Sequence, residues 1–94
     1  MTNTQTLKLI EGQFQHEEAK EMLLNLYAAK INFHQMKNFG SQERYGKDDA
    51  IAQDRIPKLK NELNHLAEIL AEAQATNQQL IIHSEIHISF FKEE

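Results

Sequence analysis

Between His16 and Asn38 the sequence HEEAKEMLLNLYAAKINFHQMKN carries apolar residues on two flanks of one helix. Ala19, Met22, Leu26, Ala29, Phe33 and Met36 recur at alternating steps of three and four, the spacing of a seam between antiparallel helices. Leu24, Tyr27 and Ile31 form a second stripe on roughly the opposite side, with Leu23 beside the first. A helix that is apolar on both flanks has to be covered on both. That requirement constrains what a chain of 94 residues can fold into.

The flanking segments supply the other elements. TLKLIE alternates up to Gly12 and predicts a strand over about 6–11, with Leu7 and Leu9 on one face and Lys8 and Ile10 on the other. The helix is expected over about 16–38, with Glu17 and Glu18 in its first turn, Lys37 in its last, Phe14 as a hydrophobic staple and Gly40 as the left-handed cap. A loop over 39–48 leads to a second helix over about 49–76, whose seam is Ala52, Ile56, Leu59, Leu63, Leu66, Leu70 and Ala73. Pro57 allows a start near Asp54, but Ala52 already keeps the seam register, which favours a start near Asp48 or Asp49 with a kink at the proline. LIIHSEIHISFF then predicts a strand over about 79–91 with Leu80, Ile82, Ile86, Ile88 and Phe90 on one face.

The order strand-helix-helix-strand makes one α+β domain over 1–94, an antiparallel helix hairpin that returns the chain so that two strands pair antiparallel. Two strands alone are marginal in water. One hairpin and two strands cannot cover both the second strand's apolar face and the stripe of Leu24, Tyr27 and Ile31, so these three residues are the expected interface of a homodimer.

Composition removes several function classes. The chain has no cysteine, hence no disulfide, no thiolate metal site and no cysteine nucleophile. It has no leader-like start and no apolar run near the roughly 20 residues of a membrane span, so a cytoplasmic, membrane-free protein is expected. The net charge of -4 argues against nucleic acid as a general partner. That charge is unevenly spread: residues 30–60 carry Lys30, Lys37, Arg44, Lys47, Arg55, Lys58 and Lys60 against four acids, whereas both ends are acidic.

Motifs for chemistry are sparse. HEEAK at 16–20 lacks the second histidine of a zinc-protease helix, and there is no phosphate loop, nucleophile elbow or nucleotide fingerprint, so no enzyme and no cofactor are expected. His83, Glu85 and His87 share one side of the last strand and are the one alternative for a metal. Yet Cα atoms four apart on a strand lie about 13 Å from each other, too far for both imidazoles to reach one zinc. The functional candidate is the segment joining the helices, where His34, Lys37, Phe39, Arg44, Tyr45 and Lys47 mix cations with aromatic rings. It reads as the contact surface of a small oligomerising adaptor. The alternative is a binding module for an anionic small molecule or nucleic acid at the same residues.

Overall fold

The computed structural model describes residues 3–92. The order is β1 (Thr4–Phe14), α1 (His16–Tyr45), α2 (Ala50–Ala75) and β2 (Leu80–Ser89), with β1 and β2 paired antiparallel in a two-stranded sheet. This is the expected strand-helix-helix-strand arrangement. Glu93 and Glu94, part of the acidic C-terminal end, lie outside the described residues.

Helix α1 does not stop at Asn38. It runs through Gly40 to Tyr45, and the left-handed cap is Gly46, φ 68°, whose N–H donates to the Gln42 carbonyl. Side chains around the turn hold this longer helix. Asn38 and Gln42, one turn apart, both donate to Asp48 Oδ1, at 3.3 and 2.6 Å, and Asn38 Oδ1 accepts the Asp49 N–H at 2.8 Å. Asp49 in turn caps α2, its Oδ2 accepting the Ala52 N–H at 2.9 Å. A glycine inside a helix costs about 1 kcal/mol relative to alanine, and hydrogen bonds worth roughly 0.5–1.5 kcal/mol each offset that. The expected loop over 39–48 therefore contracts to residues 46–49.

Helix α2 begins where the seam register of Ala52 placed it, and Pro57 lies inside it. Its apolar seam is as expected, with Ala52, Leu59, Leu70 and Ala73 buried and Ile56, Leu63 and Leu66 half-buried. The flanks of α1 are exchanged relative to expectation. Leu24, Tyr27 and Ile31 are half-buried and His34 is buried, whereas Phe33 is 51% and Met36 62% exposed. Leu24 shares a surface with Leu70 and Ala71, and the Tyr27 hydroxyl faces Glu62, so this stripe is the one packed on α2. It continues at steps of three and four through His34 and Asn38.

The sheet carries one irregularity. Lys8 pairs with Glu85 but Ile10 pairs with Ser84, which leaves Leu9 as an extra residue in β1. Side chains alternate with period two, so the bulge brings Leu7 and Ile10 onto the same face, that of Leu80, Ile82, Ile86 and Ile88. The expected pairing of Leu7 with Leu9 does not hold. At its inner end Ile10 is buried, as are Ala19, Leu70 and Ala73 on the helices. Farther out on it Leu7, Ile86 and Ile88 are exposed, and the bulged Leu9 is exposed too.

The result is spread out. The radius of gyration is 17.0 Å, against about 12 Å for a compact domain of this length. The accessible surface is 7783 Å² for 10.9 kDa, where a compact monomer exposes about 5,600 Å².

Candidate functional site at the helical turn

The turn end of the hairpin assembles three of the six candidate residues. Lys37, Arg44 and Tyr45 line an open concavity of about 380 Å³ together with Gly40, Ser41 and Asp49. They meet because α1 is helical through Tyr45: positions 37, 40, 41, 44 and 45 share one flank of its last turns. Phe39 is exposed but does not line the concavity, and Lys47 is exposed in the turn. His34 is 5% exposed, on the α2 side, and its Nε2 has no hydrogen-bond partner among the described residues. It is a seam residue and cannot belong to an exposed contact surface with the other five.

The turn carries both signs of charge, Lys37, Arg44 and Lys47 with Glu43, Asp48 and Asp49, but the two aspartates are held in hydrogen bonds to neutral donors. Asp48 accepts from two amide side chains and Asp49 from the α2 backbone. Lys37, Arg44 and Lys47 form no ion pair among the described residues. Lys37 and Lys30 lie instead over the Phe33 ring, at 5.8 and 5.3 Å from its centroid. Cations with free donors, a phenol and a fixed backbone can grip a carboxylate or a phosphoryl group. The residues that fix this geometry, Asn38, Gln42 and Asp48, are missed by a search for charge and aromatic rings. Their sequence signal is the pair of amides four apart, which share a helix face.

The stripe expected at a dimer interface is placed differently. Leu24 lies beside Leu70 and Ala71 and Tyr27 beside Leu59 and Glu62 of the same chain, and Ile31 is half-buried. The Tyr27 pKa is raised by burial first, then by the negative charge of Glu62 and a hydrogen bond to it.

On the sheet's polar face Glu85 draws both histidines together. Its two oxygens lie 2.8 Å from His83 Nε2 and 3.3 Å from His87 Nε2. Lys8 sits opposite Glu85 in the register but pairs with Glu11 at 3.2 Å. Thr6 reaches His87 and Thr4 reaches Ser89, so the face is a ladder of cross-strand polar pairs. Among the described residues no group of three or more acidic or imidazole side chains is placed to hold a metal ion. Nor is any described helix long and apolar enough to cross a membrane.

Searches of protein-family models, of curated proteins and of solved structures found no match to this chain.

Proposed function

We propose that this chain is a small non-enzymatic adaptor, homodimeric, which presents the turn end of its helix hairpin to an acidic protein partner. The observation that carries this reading is the turn itself: its aspartates are oriented by internal hydrogen bonds, while among the described residues Lys37, Arg44 and Lys47 form no ion pair, beside Tyr45. Such a surface is prepared for an acidic ligand, because the backbone bearing it is already fixed and little ordering cost remains on binding. Arg and Tyr are also the residue types that dominate protein contacts energetically. The lack of cysteine supports a reducing compartment such as the cytoplasm.

The concavity supports a second reading, an anionic small molecule or nucleic acid held by the same Lys37, Arg44 and Tyr45, since its volume admits a phosphate or a base. Affinity capture with the intact protein and with an Arg44→Ala/Tyr45→Ala variant tests both. An acidic protein that binds the intact chain when purified, and binds the variant at least tenfold more weakly, supports the adaptor. Binding of an RNA or phosphate probe that falls steeply between about 50 and 200 mM salt supports the alternative. Equal capture of the same proteins by both chains refutes a role for the turn.

A further inference from the structure

We infer that a second copy of this chain completes the fold by reciprocal docking, the outer half of each sheet lying with its apolar face across the open flank of α1 in its partner. This names the surfaces of the dimer proposed above and rests on that part of the reading. Two unfinished surfaces lead to it. The flank of α1 that is buried at Ala19 and half-buried at Met22 continues, at the same steps of three and four, through Leu26, Phe33 and Met36, all exposed. Within the chain only the first turns of this flank are covered. The sheet has the converse surplus, for Leu7, Ile86 and Ile88 share a face with the buried Ile10 but are exposed.

The two surfaces suit each other by position. On the sheet face the surplus adjoins the buried Ile10, and on α1 it adjoins the buried Ala19, so each surface continues one that is already covered within the chain. A two-fold axis then sets each outer half-sheet on the other chain's α1, with the hairpins antiparallel. The area agrees. The 7783 Å² surface exceeds that of a compact monomer by about 2,200 Å², within the roughly 1,000–2,500 Å² that each partner of an obligate dimer buries.

Charge agrees as well. Antiparallel hairpins bring the basic turn half, with Lys30 and Lys37 beside Phe33, against the acidic sheet end that bears Glu17, Glu21 and Glu72.

The chain has no native cysteine, so an Ile88→Cys/Met36→Cys variant reports the contact directly; both positions are exposed, which protects folding. Sedimentation of the unaltered protein is expected to give twice 10.9 kDa. Oxidation of the double variant is expected to give covalent dimer, and neither single variant is expected to do so. A Phe33→Glu chain with unchanged helical circular dichroism is expected at 10.9 kDa. A dimer that cross-links through Ile88→Cys alone, or not at all in the double variant, overturns this docking and leaves the dimer standing. A mass of twice 10.9 kDa retained by Phe33→Glu overturns the docking too. A monomeric unaltered protein overturns both.

Discussion

The two glycines at the end of α1 make opposite predictions although they are six positions apart. Gly46 has φ 68° and no atom within 4 Å of where a Cβ would stand, so Gly46→Ala meets no clash and its cost is that of the backbone conformation alone. An L-residue in the left-handed region costs about 1–2 kcal/mol, and the loss of glycine's freedom in the unfolded chain returns roughly 0.4–1 kcal/mol. A net loss of about 0.5–1 kcal/mol follows. Gly40 lies inside the helix, and its Cβ position is equally open. Gly40→Ala therefore gains the propensity difference of about 0.8–1 kcal/mol. The variants should stand roughly 1.5–2 kcal/mol apart, a separation of about 6–16 °C in melting temperature for a domain of this size. Thermal melts followed by circular dichroism at a fixed protein concentration measure it. A destabilising Gly40→Ala beside a neutral Gly46→Ala would place the helix end at Gly40 and refute the account of the turn.

Other substitutions probe the seam. His34→Leu removes a buried polar atom that has no partner among the described residues and should raise stability by about 1–2 kcal/mol, seen as a higher urea midpoint at unchanged slope; a lower midpoint would mean that Nε2 is paired in solution. Tyr27 has its pKa raised in the fold, so the folded state favours the neutral phenol. Its contribution is whole below the ordinary tyrosine pKa of 10.0 and fades as pH climbs through the raised value. Tyr27→Phe should flatten that alkaline loss, and an unchanged pH profile would remove Tyr27 as its source. Asn38→Ala, which deletes two hydrogen bonds of the turn, should cost about 1–2 kcal/mol and weaken binding at Arg44 and Tyr45; unimpaired binding would show that the turn needs no such fixing.

The element order was legible because each element has its own period, and the α2 seam because every seam residue there is apolar. The inner flank of α1 was not. It is completed by His34 and Asn38, which hydrophobic periodicity does not count, while the open flank is continued by Phe33 and Met36, which it does. The helix end was hidden for a related reason, since Gly40 reads as a cap unless the bonds from Asn38 and Gln42 to Asp48 are known. A bulge at Leu9 has no local marker; it follows from pairing Leu7 and Ile10 with one face of β2. At the candidate site, sequence gathered six residues by proximity along the chain, and helical geometry keeps Lys37, Arg44 and Tyr45 together while turning His34 inward.

An extended protomer with an uncovered helix flank and an uncovered half-sheet is the centre of this account. Sedimentation equilibrium at micromolar concentration tests it most directly. The account predicts a species of twice 10.9 kDa. A folded, helical species of 10.9 kDa under the same conditions would contradict it.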